Sequence, residues 1–254
     1  MDWSLVVFSE SVDAADAVNA ITPVVDQIQP ADGDFYRIME ERNHIIGCAM
    51  LQSAGGTQLS RIQAASILNK LGGPLNISPR VNALVFGSPP EVVMFPRSPI
   101  MLKPDEGVSM EQRSDPVAAE RQYGILWLSK GPVEPVSGEI VTVRFTAAIA
   151  LSAGLWVNGA ITLAQALPAG NYDVVGMRIE GTNLVAARLV PIKGGNDRPG
   201  VAAVNAAADL DMPFSRFGAL GVWFSFANTQ TPTLDALGVT DTTQVGYLDL
   251  IQRG

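Results

Sequence analysis

Glycine and proline interrupt this chain so often that few long regular elements fit between them. The 24 glycines and 17 prolines together make up 41 residues, or about 16% of the chain, against roughly 12% in average proteins. From Gly33 onwards the intervals hold short apolar or alternating runs, a pattern that favours strands over long helices. The spacing of these residues therefore predicts an all-β protein.

Short runs in both halves have the length and composition of strands. In the first half the predicted strands are His44–Leu51, Leu59–Ala64, Ala83–Phe86, Val92–Phe95, Ile100–Lys103, Val108–Gln112 and Gln122–Ser129. In the second half they are Glu139–Thr146, Leu155–Leu163, Tyr172–Ile179, Leu184–Val190, Gly221–Phe226 and Gln244–Ile251. Ala64–Leu71 is the one segment here that could instead form a helical turn. Tyr172–Ile179 and Leu184–Val190 are predicted to pair as a hairpin around the polar loop at residues 180–183.

The segment Gly131–Gly138 divides the chain almost in half. Its two prolines and two glycines exclude both a regular helix and a central strand. Each half then has the size and strand number of a two-sheet sandwich, for which jelly-roll and immunoglobulin-like topologies are common. We predict two tandem β-sandwiches of the jelly-roll type, at residues 35–132 and 133–254, preceded by an N-terminal acidic arm at residues 1–34. No repeat relates the two halves residue by residue, which leaves duplication open.

The arm carries seven acidic residues and no Lys or Arg before Arg37. Ser9 or Ser11 is placed to cap a helix, with Val12 on its apolar face, and Thr22-Pro23 is placed to begin a second one. We expect a partly helical arm that lies outside the strand pattern and docks on a neighbouring subunit. Packing of a short helix on its own domain is an equal alternative.

Composition excludes several classes of protein. Hydrophobic residues make up 47% of the chain and charged residues 17%, so the chain is not intrinsically disordered. The net charge of −8 argues against direct nucleic-acid binding by the protein as a whole. The first residues carry no basic region, and no apolar run reaches the ~18 residues of a membrane span, so we expect neither a signal peptide nor an integral membrane protein.

The sequence indicates no catalytic, cofactor-binding or metal-binding residues. Cys48 and His44 are the only cysteine and histidine, so a disulfide and a Cys/His zinc cluster are both excluded. On one strand these two side chains would share a face about 13 Å apart, too far to act as a pair. Paired acids at Asp32/Asp34, Glu40/Glu41, Asp105/Glu106 and Asp209/Asp211 are interpreted as solvated turns. We therefore expect a protein that is not an enzyme and needs no cofactor.

Several runs in the second half share one texture of turns and apolar strands: Leu167–Gly176, Ala186–Pro191, Arg198–Gly200, Arg216–Gly218 and Gly221–Phe224. These runs resemble coat proteins of tailless icosahedral viruses, in particular the double jelly-roll major capsid proteins. The resemblance covers about Ser137–Gly254, and it extends to the whole chain only through the two-sandwich layout.

The resemblance implies a non-enzymatic major capsid protein that self-assembles, three chains forming a capsomer with their rolls side by side. Its partners would be copies of itself, other virion structural proteins, or an internal membrane that it does not span. Its location would be the virion, after assembly in the host cytoplasm. Many coat proteins carry a basic, genome-binding arm, whereas this arm is acidic, so direct genome contact is not expected.

Two other functions stay open on the sequence alone. A carbohydrate- or receptor-binding β module of a spike or fibre would present an exposed aromatic platform. A glycan-processing enzyme would need two carboxylates that converge in a cleft.

Overall fold

The computed structural model describes residues 3–12, 18–25, 31–52, 57–77, 92–114, 120–181, 183–193, 196–204 and 212–253. Most of these residues lie in antiparallel strands, which confirms the all-β prediction. The strand predicted at Ala83–Phe86 lies outside the described residues. The chain divides into two compact units, an N-terminal unit over Val6–Val85 and Pro90–Pro132 and a C-terminal unit over Val133–Gly254 together with Met1–Leu5.

The first half of the chain contains short strands, one α-helix and a 3₁₀ turn at Glu40–Arg42. The strands are β1 (Trp3–Val12), β2 (Val18–Ile21), β3 (Ala31–Asp32), β4 (Phe35–Arg37), β5 (His44–Gln52), β6 (Thr57–Gln63), β7 (Leu75–Ile77), β8 (Val92–Met94), β9 (Ile100–Met101), β10 (Gly107–Ser114) and β11 (Glu120–Ser129), and the helix is α1 (Ala65–Leu71).

These strands form two sheets that enclose one core. The first sheet has the order β1-β11-β5-β8, with β9 also paired with β5, and the second has the order β3-β4-β10-β6-β7, with β2 also paired with β10. The core cluster takes Phe8 and Met50 from the first sheet and Ile21, Ile62 and Met110 from the second. Because both sheets bury side chains in the same cluster, the N-terminal unit has the layered character of a β-sandwich.

The second half of the chain forms one continuous run of antiparallel strands. They are β12 (Ile140–Ala147), β13 (Val157–Leu163), β14 (Asn171–Glu180), β15 (Leu184–Val190), β16 (Gly200–Ala202), β17 (Phe224–Ala227), β18 (Thr233–Gly238) and β19 (Gln244–Arg253), with a 3₁₀ turn at Pro213–Ser215. The sheet order is β16-β15-β18-β13-β12-β19-β14-β17. β13 pairs with β18 through residues 157–160 and with β12 through residues 161–163, so it joins two four-stranded halves.

Helix α1 confirms the helical alternative for Ala64–Leu71. The backbone N–H of Ser66 donates to Oε2 of Glu106 at 2.9 Å, which satisfies a donor in the first turn. The helix ends at Gly72, whose φ of +69° and N–H to the Leu68 carbonyl form a left-handed cap. Ile67 is buried on one side, and Leu68 is exposed on the other. Within the part of the chain that the structure describes, no helix is long and apolar enough to cross a membrane.

The prediction of a helix opening at Ser9 or Ser11 is wrong, because both residues lie in strand β1. Of the second predicted helix, residues 22–25 are not helical, and residues 26–30 lie outside the described part of the chain. Trp3 and Leu5 are buried in the C-terminal unit, where the Leu5 N–H donates to the Arg198 carbonyl at 2.8 Å. The expectation that the whole arm lies outside the strand pattern is therefore also wrong. Burial of consecutive residues on both faces of β1 removes the alternation by which a strand is recognised.

The hairpin predicted from β14 and β15 is a second error. β14 pairs with β17 and β19, whereas β15 pairs with β16 and β18, so consecutive strands enter different halves of the sheet. Asn183 lies at this crossing with a φ of +59° and donates to Thr240 Oγ1 at 2.9 Å. The short polar loop between β14 and β15 therefore connects the two halves of the sheet instead of closing a hairpin.

Candidate functional site

A groove on the N-terminal unit combines an exposed aromatic ring with several polar side chains. It lies on the outer face of three neighbouring strands, β4, β10 and β6. Strand alternation sorts the residues: Tyr36 is buried in the core cluster, and its neighbours Phe35 and Arg37 are exposed. On β10, Gly107 stands opposite Arg37 and Ser109 stands opposite Gln63 of β6, so these residues share the outer face.

Small residues, among them Gly107, form part of the floor of the groove. A Cβ atom at Gly107 would lie 3.0 Å from Cδ1 of Phe35, so the ring rests directly on the glycine backbone. This support fixes one side of the ring, while half of the residue's surface stays exposed (50%). We call this feature, lined by Phe35, Arg37, Gln63, Leu68, Asp105 and Ser109 among others, the Phe35 groove, and its volume is about 500 Å³.

Charged side chains of both signs surround the Phe35 groove. Arg61 on β6 stands opposite Glu111 on β10, and its Nε donates to Glu111 Oε2 at 2.5 Å. Arg37 and Asp105 line the same groove. The carboxylate of Glu106, next to Asp105, accepts hydrogen bonds from the backbone N–H groups of Ser66 and Lys103.

The C-terminal unit buries a carboxylate with a complete set of donors. Asp249 on β19 accepts from Arg216 through Nε at 2.7 Å and Nη2 at 3.0 Å, and it also accepts from the Phe217 backbone N–H and the Thr142 hydroxyl. A side chain at Gly176 would lie 2.5 Å from Asp249 Oδ2, so this glycine makes room for the pair. The bidentate pair holds the loop after the 3₁₀ turn at residues 213–215 against the sheet.

A second buried ion pair, Arg188–Asp235, packs against the ring of Trp156. Arg188 Nε donates to Asp235 Oδ2 at 3.0 Å, and Asn158 donates to the other oxygen of the carboxylate at 2.8 Å. The Arg188 guanidinium carbon lies 4.0 Å from the centre of the Trp156 ring, a cation–π distance. In both pairs the buried charges neutralise each other, which points to folding rather than to chemistry on a substrate.

The structure does not bring His44 and Cys48 together. Ile46 is an extra residue in the β5–β11 pairing, because Gly47 stands opposite Trp127 and Ile45 stands opposite Leu128. This bulge reverses the alternation, so Cys48 shares the core cluster with Ile45 and not a face with His44, contrary to the sequence-based expectation.

The environments of the two side chains differ accordingly. Burial raises the pKa of the Cys48 thiol to about 12, which keeps it protonated. The pKa of His44 is lowered by partial burial and by the Lys70 ammonium, and His44 Nδ1 lies 2.7 Å from Asn43 Oδ1.

Among the described loop acids singled out in the sequence, Asp34 and Glu106 have separate hydrogen-bond partners. Asp209 and Asp211 lie outside the described residues, and Asp34 accepts from Thr22 Oγ1 at 3.4 Å. Among the described residues, no group of three or more His, Cys, Asp or Glu side chains could hold a metal ion.

Sequence reasoning missed the Phe35 groove. One local signal was present: Gly33 has a φ of +60° and is the first of the two turn residues between β3 and β4, a position that favours glycine in tight hairpins. That hairpin places Phe35 next to β10, but the pairing itself spans about 70 residues of chain and leaves no trace in a local window.

No protein-family model matches this chain, and no curated protein matches its sequence.

Proposed function

We propose that this protein is a shell-forming structural protein of a virus particle, a major capsid protein whose two units are both jelly rolls. One observation carries the proposal, namely that the same strand order occurs in both units. In the C-terminal unit, numbering the strands 1 to 8 along the chain, the two halves of the sheet run 1-8-3-6 and 2-7-4-5.

The N-terminal unit supports the proposal with the same order. The small hairpin β3–β4 and the short strand β9 are set aside as additions. The remaining eight strands then give β1-β11-β5-β8 and β2-β10-β6-β7, which again run 1-8-3-6 and 2-7-4-5. In this order the chain passes back and forth between two groups of four antiparallel strands, except that the fourth and fifth strands pair with each other. This order supports a jelly roll built from two Greek keys.

The same order of eight strands in both units is not expected by chance for two unrelated β-sandwiches. In such a roll, consecutive strands such as β14 and β15 lie in different sheets. The pairings agree with this, because β14 pairs with β19 whereas β15 pairs with β18. With two rolls in each chain, a closed trimer contains six similar rolls. Such a trimer can tile a shell through few distinct contacts. This repetition agrees with the capsid resemblance and does not depend on sequence similarity between the halves.

The exposed apolar residues of the C-terminal unit are further support for assembly. Val141, Leu155, Ile192 and Phe217 each expose between 48% and 57% of their surface. Large apolar side chains at the surface are commonly covered by another protein when they form part of an interface. The partners in this proposal are further copies of the chain and other virion proteins, and the location is the virion.

The proposal is tested by the mass of the purified full-length protein. Mass photometry over a range of concentrations, followed by negative-stain imaging, distinguishes a monomer, a trimer and a closed particle. We expect trimers that convert to closed particles as concentration rises. A monomer that persists over the whole range would contradict the proposal, and a discrete trimer that never closes would favour a spike or fibre component instead.

A further inference from the structure

We propose that the Phe35 groove binds a neutral saccharide. This inference is independent of the shell function, because it depends only on the composition of one surface of the N-terminal unit.

The Phe35 ring is the first reason. Its inner side rests on Gly107, with 3.0 Å between Cδ1 and the position of a Cβ there, so the ring is held in place without being covered. The face of an aromatic ring carries partial negative charge. The C–H groups on one side of a pyranose ring carry partial positive charge and form a flat apolar patch. A fixed, half-exposed phenyl ring therefore matches that side of a sugar.

The polar groups beside the ring are the second reason. Gln63 offers both amide donors and an acceptor, Ser109 offers a hydroxyl, and Asp105 offers carboxylate acceptors. Sugar hydroxyls both donate and accept hydrogen bonds, so they need this mixture. An apolar helix or strand of a protein partner would need a row of large apolar side chains, whereas Phe35 and Leu68 are the large apolar residues of the lining.

Charge and size narrow the ligand class. Arg61 pairs with Glu111, and Arg37 lines the groove together with Asp105, so charges of both signs surround the groove and neither an acidic nor a basic sugar meets a surface of a single sign. The volume of about 500 Å³ lies within the ~300–1,000 Å³ usual for small-ligand sites. The ligand is accordingly a neutral hexopyranose unit, either free or at the end of a glycan.

The test uses full-length protein and three neutral probes, the methyl glycosides of β-glucose, β-galactose and α-mannose. Saturation-transfer NMR detects binding of each probe through its ring protons. We expect transfer from the protein to at least one of them, and a loss of affinity of about tenfold or more in Phe35→Ala. Phe35→Tyr keeps the ring and should retain binding. Gln63→Ala should also weaken binding, because it removes the amide at an accessible position.

Leu71→Ala is the matched control, since Leu71 is an exposed apolar residue of α1 outside the groove lining. Its binding should equal that of the unchanged protein, and thermal unfolding checks that each variant is folded. Absence of saturation transfer to all three probes would overturn the proposal. An equal loss of binding in Leu71→Ala would overturn it as well, and tighter binding of an anionic sialyl-lactose would overturn the assignment to neutral sugars. None of these outcomes depends on whether the chain forms shells.

Discussion

At the scale of single residues, buried charges in the C-terminal unit are held as pairs. The Arg216 side chain is 8% exposed and Asp249 is fully buried, whereas Asp173 pairs with Arg253, whose side chain is 57% exposed. Removing one partner of a buried pair leaves a charge without solvent or counter-ion. The two arginines therefore allow a matched comparison within one unit.

We predict that Arg216→Ala lowers the free energy of unfolding by about 3–5 kcal/mol. Arg253→Ala, the control, should lower it by less, because the Arg253 side chain is largely exposed and Asp173 keeps the hydrogen bond from the Ser225 hydroxyl. Urea unfolding followed by tryptophan fluorescence measures both. Equal effects of the two substitutions would show that the Asp249 site does not hold the loop.

The Cys48 thiol gives a prediction about pH and reactivity. Burial raises its pKa from 9.0 to about 12 in the folded protein, whereas the unfolded chain has the ordinary value. Folding is thus favoured by this group below pH 9.0, and its contribution is lost as pH rises from there towards 12. We expect a thiol reagent to modify Cys48 slowly in native protein below pH 9.0 and rapidly in urea. Rapid modification of the native protein would contradict the buried position.

At the scale of elements, strand β1 ties the start of the chain into the fold. Trp3 is almost fully buried and meets Trp223 edge-to-face with ring centres 5.0 Å apart. Phe8 lies in the core cluster of the N-terminal unit. The strand therefore contributes buried residues to each unit in turn.

We predict that Trp3→Ala costs about 3–5 kcal/mol of stability, the usual loss for a buried aromatic residue. Val25→Ala is the control, because Val25 is 64% exposed, and it should change stability by no more than about 0.5 kcal/mol. Differential scanning calorimetry compares the two variants. A stable Trp3→Ala protein would restore the interpretation of residues 1–34 as an assembly arm.

The tight loop at Gly218 gives a second prediction for an element. Gly218 has a φ of +80°, and a Cβ there would lie 2.2 Å from the Val136 carbonyl oxygen. Gly218→Ala should therefore destabilise the protein by more than about 1 kcal/mol. Gly131→Ala, with open space around the added carbon, should stay within about 0.5 kcal/mol of the unchanged protein. Chemical denaturation of both variants tests the difference.

Local patterns predicted the strands that alternate and end at turns, and they failed where burial is two-sided or pairing is distant. Alternation and turn residues located β5, β11, β12, β15 and β19 to within a few residues. β16 and β18 were missed, since Gly200–Ala202 is short and Thr233–Gly238 is buried almost throughout, without alternation.

The candidate site was less predictable than the strands. Phe35 gains its role from Gly107, which is distant in sequence, and from the register of β4 on β10. The negative expectations for His44 and Cys48 depended on local sequence alone. The bulge at Ile46 then altered the geometry that they assumed.

At the scale of the whole molecule, exposed apolar residues of the C-terminal unit give a prediction about assembly. We expect that at least one of Val141→Glu, Leu155→Glu, Ile192→Glu and Phe217→Glu remains folded but fails to assemble, because a buried unpaired carboxylate opposes an apolar interface. Thr229→Glu adds the same charge at an exposed polar position and should assemble normally. Assembly by all four variants would exclude these residues from the interfaces.

The most direct measurement of the central claim is electron cryo-microscopy of the purified full-length protein. The proposed capsid function predicts capsomers of three chains that contain six eight-stranded rolls, arranged in a closed shell. The density should show each roll as two four-stranded sheets in the order found here. The account would be contradicted if the protein were monomeric at every concentration, with neither trimers nor shells. It would also be contradicted by capsomers whose rolls have a different strand order.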